Sequence, residues 1–205
     1  MGGSTVKAEG APEIVLASAS SARARMLNDA GVVHTCCPAH VDEAAVKCKW
    51  TGGPEGLALD LATTKALQVS TQRPRALVIG ADQVLAFGDE VFDKPGTVDG
   101  VRAHLQSLRG HTHALISAVA VAQGGSILWS TVDRATLNMR EFSDGFLNAY
   151  IAEVGEEVAH SVGAYHLEGL GAQLFDAIQG DHFTVLGLPL IALLNYLRSQ
   201  GALKT

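Results

Sequence analysis

The chain has 205 residues, 47% of them apolar, and 15 Lys plus Arg stand against 21 Asp plus Glu for a formal net charge of −6. A chain of this size buries about 70% of its unfolded surface and folds as one domain without a disulfide or zinc staple. The composition excludes a disordered chain. The absence of an apolar run of about 18 residues excludes a membrane-spanning helix. The acidic balance argues against non-specific nucleic-acid binding, so a polyanionic ligand would need a local cluster of cations.

Met1 to Pro12 is small and polar, with no apolar core of a secretory signal. Residues 1–11 are expected as a frayed tail and 12–205 as a single domain. Cys36, Cys37 and Cys48 are odd in number and lack a CxxC spacing. They read as reduced thiols of a cytoplasmic protein.

The apolar run Ile14-Val15-Leu16-Ala17 predicts a buried first strand. Ser18-Ala19-Ser20-Ser21 then suits a turn and a helix N-cap, with the helix running to Ala30 and stopped by Gly31. A second strand is expected from Val32 to Cys37, followed by an acidic turn at Asp42-Glu43. A helix from Pro54 to about Ser70 carries Leu57, Ala58, Leu61 and Ala62 on its apolar stripe. Leu77 to Ala81 reads as a buried strand, and Val84 to Phe87 with Val91-Phe92 as a hairpin turning at Gly88-Asp89. A helix from Val98 to Leu108 is ended by Gly110. Ala114 to Ala122 and Ile127 to Met139 are two long strands joined through Gly124-Gly125. Ser143 caps a helix to about Glu153, and Ala164 to Phe175 reads as a glycine-rich strand. Gly187-Leu188-Pro189 opens a last amphipathic helix to about Ser199. Strands alternating with helices, interrupted by hairpins, predict an α/β fold with a mixed sheet.

Five places carry candidate chemistry. Ser18, Ser20 and Arg23 lie between the first strand and the first helix. A cation in the first helical turn opposes the helix dipole by roughly 0.3–1 kcal/mol, and an anion bound at that terminus reverses the sign. The bland alternative is an ordinary cap with a solvated arginine. Asp82, at the expected carboxyl end of a buried strand, can hold a divalent metal or accept a proton from water, or simply form a turn. Asp42 and Glu43 offer further oxygen ligands, or a solvated loop. Lys65 borders the apolar stripe of its helix, and Lys94 precedes Pro95-Gly96; both can clamp phosphate or stay in solvent. Gly169-Leu170-Gly171-Ala172 is half of a dinucleotide fingerprint without its last glycine, and Glu168 before it can meet a base edge through hydrogen bonds. His111 and His113 read as surface histidines, because no Cys or HExxH helix supports zinc.

The order of these elements resembles the Maf nucleoside triphosphate pyrophosphatases. The matching residues are Leu16-Ala17-Ser18-Ala19-Ser20 with Arg23, Val41-Asp42-Glu43, Lys65, Gly80-Ala81-Asp82-Gln83 and Lys94-Pro95. They continue with Gly163-Ala164-Tyr165, Glu168-Gly169-Leu170-Gly171 and Gly187-Leu188-Pro189-Leu190. The resemblance implies an elongated mixed sheet flanked by helices, with two lobes around a central cleft, often as a homodimer. It implies hydrolysis of a nucleoside triphosphate to the monophosphate and pyrophosphate with Mg2+ or Mn2+. Asp82 matches the catalytic base. Ser18, Ser20, Arg23, Lys65 and Lys94 match the lining of the phosphate cleft, and Glu43 with Asp82 matches the metal-holding acids. Many members carry Ser-Pro-Arg-Arg where this chain has Ser20-Ser21-Ala22-Arg23, so a proline and an arginine are absent. Gln83 and Glu168 resemble the branch that acts on 7-methyl-GTP, whose members carry tryptophan where this chain has Ala22. The alternatives are a dTTP- or UTP-preferring pyrophosphatase and a nucleotide-binding regulator of cell division without turnover. No nucleic-acid or membrane partner is expected.

Overall fold

The computed structural model describes residues 10–204. The first apolar run forms strand β1 (Ile14–Leu16). Helix α1 (Ser21–Asp29) follows, with Ser20 as N-cap and Ala30 as C-cap. Gly31 then takes a positive φ of 73°, which a residue with a Cβ rarely adopts. The second strand, β2, is shorter than expected and holds only Thr35–Cys36. Val32 is spent closing the helix end, its N–H donating to the Leu27 carbonyl while its side chain is buried.

The expected acidic turn is instead the start of helix α2 (Glu43–Lys49). Asp42 caps it by accepting from the Ala45 N–H, with Glu43 in the first turn and Lys47 and Lys49 in the last. Both charges therefore agree with the helix dipole. Helix α3 spans Pro54–Gln72. The next two expected strand pieces are one strand, β3 (Leu77–Phe87), because the polar pair Asp82-Gln83 lies inside the strand and does not end it. Strand β4 (Glu90–Phe92) folds back on it. Helix α4 (Val98–Leu108), strands β5 (Thr112–Gln123) and β6 (Ser126–Met139), and helix α5 (Asp144–Val154) follow as the patterning predicts. Strand β7 (Phe175–Gln179), the short helix α6 (His182–Val185) and helix α7 (Leu190–Ser199) complete the chain.

The strands form one mixed sheet in the order β2-β1-β3-β5-β6-β7, with β4 also paired to β3. β1 runs parallel to β2 and β3, and all other pairs are antiparallel. On one face, α3 packs Leu57, Leu61 and Ala62 against Val84, Ile116 and the alanines of β5. On the other face, α1 and α7 cover Ile79, Ala81 and Val121 at one end. At the other end, α4 and α5 cover Leu85, Leu115 and Leu137.

Two expectations are corrected here. The stretch from Ala164 to Phe175 is not a strand but a turn and a 3-10 helix (Leu170–Leu174) leading into β7. Gly171 serves close packing: a Cβ there would stand 2.4 Å from the His166 carbonyl oxygen. Ala164 itself takes a φ of 60°. His113 is not a surface histidine. It is 2% exposed, and its Nε2 lies 2.7 Å from the Tyr165 hydroxyl. The partner is far away in sequence, so the His-Thr-His alternation gave no sign of it.

Gly80 sets how close α3 lies to the sheet. A Cβ there would meet the Ala62 carbonyl oxygen at 2.2 Å and the Ala66 nitrogen at 2.6 Å. Gly80→Ala should cost about 3 kcal/mol in urea unfolding, because neither obstacle is a side chain that can move away. Wild-type stability in that variant would show that α3 can shift freely.

Burial pushes the His113 imidazole down to about 4. The unfolded chain therefore binds one more proton between the ordinary value of 6.5 and about 4. Stability should rise with pH through this window and fall on acidification. A melting-temperature series from pH 7.5 to pH 4.5 checks this, with His113→Asn expected to flatten the decline. Parallel curves for the two proteins would contradict it.

Candidate active site

The site lies where one edge of β3 is left open. β5 pairs with β3 without interruption from Val78 to Ala86. On the opposite edge, β1 pairs only as far as Ile79, and β4 begins at Leu85. Among the described residues, no strand covers that edge from Gly80 to Val84. The Leu77 N–H donates to Glu13, and the Ile79 carbonyl accepts from Ala17. By the alternation of a strand, the main-chain groups of Ala81 and Gln83 face the same side. Asp82 is thus mid-strand and not at a strand end, yet it still stands where β1 stops.

The pleat sends Asp82 and Gln83 to opposite faces. Asp82 points toward α3, where Lys65 Nζ lies 2.6 Å from Asp82 Oδ1 and 2.6 Å from Glu43 Oε1. Lys65 and Asp82 are both more than nine-tenths buried. Removing Lys65 would leave the two carboxylates facing each other without the ammonium that bridges them. Burial acts to raise the Glu43 carboxyl, but the hydrogen bond and charge of Lys65, helped by Lys47 and Lys94, outweigh it and hold Glu43 below its ordinary value. Lys94 itself is exposed, in the loop after β4. An ion pair of 2.5 Å between Lys47 and Asp93 ties that loop to α2.

The start of α1 faces the same opening. Ser20 Oγ accepts from the Arg23 N–H, and Ser18 Oγ accepts from the Ser20 N–H at 3.2 Å and from Arg23 Nη1 at 3.2 Å. Arg23 Nε donates to the Gly187 carbonyl at 2.9 Å. The guanidinium is therefore fixed from two sides, with N–H donors left for a ligand. Burial pulls its pKa down while the nearby Asp82 and Glu43 raise it. An arginine stays charged under such a balance.

Of the residues expected to bind or read a substrate, the structure brings Ser18, Ser20, Arg23, Lys65, Asp82 and Glu43 around this opening. Gln83, on the other face, donates its amide to Ser117 Oγ at 3.1 Å and to the Thr184 and Val185 carbonyls at 3.0 Å each. Its Oε1 is left as an acceptor near Gly187. Glu168 is exposed and pairs with Arg25 of α1 at 2.6 Å. Ala22 is half-buried in the first turn of α1. Sequence reasoning missed Arg25 and the Gly187 carbonyl. The only signal for Arg25 was its place two residues after Arg23, and a backbone acceptor carries no side-chain signature.

The donor set suits a divalent cation shared with a ligand. Glu43 and Asp82 already converge on one cationic centre, the Lys65 ammonium. Magnesium is commonly held by one or two carboxylates plus phosphate oxygens of the bound nucleotide. Among the described residues, no cluster of three or more His, Cys, Asp or Glu forms a closed cage.

A family model described as Maf-like protein matches residues 13–200. A nucleoside triphosphate pyrophosphatase of Paramagnetospirillum magneticum is 50% identical over 192 residues, 92% of this chain and 99% of that one. A 7-methyl-GTP pyrophosphatase of Mesorhizobium japonicum is 47% identical over 194 residues, 93% of this chain and 98% of that one. A solved nucleoside-triphosphatase / dITP/XTP pyrophosphatase of Mycobacterium abscessus covers 91% of this chain and 93% of that chain at 14% identity and a TM-score of 0.42, a likeness that leaves the fold to be read from the sheet itself. The match to the family model takes in every residue that lines the opening of β3, and the chain belongs to the Maf-like protein family.

Proposed function

We propose that this protein is a divalent-metal-dependent nucleoside triphosphate pyrophosphatase, releasing the monophosphate and pyrophosphate, with preference for a 7-methyl-GTP-like purine. The carrying observation is the convergence of Asp82 and Glu43 on Lys65 at the open edge of β3, facing Arg23 and the start of α1. The near relatives named for this activity support it.

The triphosphate carries about four negative charges, which Arg23, Lys65 and Lys94 offset together with the positive end of α1. Ser18 and Ser20 hold Arg23 and the helix start in place. Lys65 engages Oδ1 of Asp82, leaving Oδ2 for a water. That water attacks the α-phosphorus and gives its proton to Asp82. The bond from the α-phosphorus to the bridging oxygen breaks, and its electron pair leaves with pyrophosphate. Glu43 and Asp82 would hold the Mg2+ or Mn2+ ion, which supplies further charge neutralisation at the phosphoryl oxygens.

Base preference rests on acceptors. Glu168 and the outward Oε1 of Gln83 suit the N1–H and amino donors of guanine better than the carbonyls of thymine or uracil. Ala22 presents no stacking face. Glu168 shares its charge with Arg25 in an exposed pair, which costs little to break when a base arrives. A cytoplasmic homodimer completes the proposal, with the exposed Ile127 and Leu128 of β6 supplying apolar surface for it. Among the described residues, no helix is long and apolar enough to cross a membrane.

The test is pyrophosphate release with Mg2+ or Mn2+ across 7-methyl-GTP, GTP, dTTP, UTP and CTP. Release concentrated on 7-methyl-GTP, and lost on chelation, is expected. Release concentrated on dTTP and UTP would keep the mechanism and overturn the base preference. Binding without release from any of them would favour the regulator. Asp82→Asn should lower kcat by about a hundredfold or more with the fold intact. Near-normal turnover in that variant would remove Asp82 from the base role. Glu168→Gln should lower the purine-to-pyrimidine ratio of kcat/KM by about tenfold with little change in kcat. An unchanged ratio would count against base reading by Glu168.

A further inference from the structure

Behind the face of β3 that carries Gln83 lies a polar network, of which the chemistry above uses only the Gln83 Oε1. Its centre is Thr184, fully buried in α6. The Thr184 hydroxyl donates to Asp133 Oδ2 on β6 at 2.6 Å. The Thr184 carbonyl accepts from Ser117 Oγ on β5 at 2.8 Å, from the Gln83 amide at 3.0 Å and from the Gly187 N–H at 3.1 Å. The neighbouring Val185 carbonyl accepts from the same Gln83 amide. The segment from Thr184 to Gly187 is thus pinned to three adjacent strands of the sheet. The α-helical part of this segment is too short to hold itself in place, since α6 has only four residues.

The segment ends in a carbonyl that meets the phosphate side. Gly187, at a φ of 100°, turns its oxygen onto Arg23 Nε at 2.9 Å. Arg23 is a long side chain with several rotatable bonds, and aiming it costs rotamer entropy unless the acceptor is rigid. We propose that Thr184, anchored by Asp133 and Ser117, is a positioning residue for Arg23: it fixes the Gly187 carbonyl that aims the guanidinium into the opening of β3. This inference rests on the proposed function only for what Arg23 is aimed at. The aiming itself is a property of the fold.

The test combines affinity with a structure. Binding of the non-hydrolysable α,β-methylene analogue of GTP with Mg2+ is measured by calorimetry for wild type, Thr184→Val, Thr184→Ser, Arg23→Ala and the double variant Thr184→Val/Arg23→Ala. Thr184→Val should weaken binding about tenfold, the scale of one mis-set hydrogen bond to a charged group. Thr184→Ser, which keeps the hydroxyl, should bind like wild type. The double variant should bind no more weakly than Arg23→Ala alone, because both changes remove the same contact. Additive losses, or wild-type affinity in Thr184→Val, would overturn the inference. Ser117→Ala, which leaves the Thr184 side chain intact, should shift affinity in the same direction if Thr184→Val fails to fold. A crystal structure of the weakened variant should show Arg23 off the Gly187 carbonyl, and an unmoved Arg23 would overturn the inference whatever the ligand. A wild-type protein that binds no triphosphate analogue would sink the proposed function, and the position of Arg23 in the variant crystal would still decide this inference.

Discussion

The site depends on an interruption in strand pairing. β3 is eleven residues long and is partnered by β5 from Val78 to Ala86 on one edge. The other edge is shared by two short strands that do not meet, β1 arriving in parallel and β4 folding back antiparallel. Between them, the main chain of Ala81 and Gln83 faces an opening instead of a neighbour. An unpaired stretch inside a buried strand is costly unless something polar meets it. Here the start of α1 brings hydroxyls and a guanidinium, α3 the Lys65 ammonium, α2 the Glu43 carboxylate and the segment before α7 the Gly187 carbonyl.

That opening explains how two faces of one sheet serve one site. The pleat separates neighbouring side chains, so Asp82 belongs to the α3 face and Gln83 to the α6 face. The Asp82 carboxylate meets Lys65 and Glu43 from α3 and α2, while Arg23 comes in from α1 and leans on Gly187. In a fully paired sheet these groups would be screened from each other by a strand. Across the gap, Arg23 feels the charge of Asp82 and Glu43. Gly80, two residues before Asp82, lets α3 approach closely enough for Lys65 to reach across.

Much of this was legible in the sequence, for physical reasons that differ by residue. Ser20 and Gly31 announce the ends of α1 because caps and left-handed turns depend on local chemistry. The place of Lys65 beside the stripe of Leu57 and Leu61 already pointed it toward the sheet. The two long strands after Gly110 were readable from their apolar runs. What stayed hidden depends on distant partners. The continuity of β3 was masked by the polar pair in its middle, which reads as a turn until α3 and α6 supply partners for it. His113 looked like a surface residue because Tyr165 is far off in the chain. Gly169 and Gly171 mimicked a strand or a nucleotide fingerprint, although the use of Gly171 is close approach to the His166 backbone. Gly187 was visible as a helix opener, but its carbonyl role was not, since nothing in a glycine announces an acceptor.

The most direct measurement is backbone hydrogen exchange of the Asp82→Asn protein with and without a non-hydrolysable nucleoside triphosphate and Mg2+. The open edge of β3 should be covered when the ligand binds, so the amides of Ala81 and Gln83, with those at the start of α1, are predicted to gain protection. Protection that appears elsewhere on the surface while Gly80 to Val84 and Ser20 to Arg23 stay unchanged would contradict the account, because the ligand would then lie outside the gap between β1 and β4.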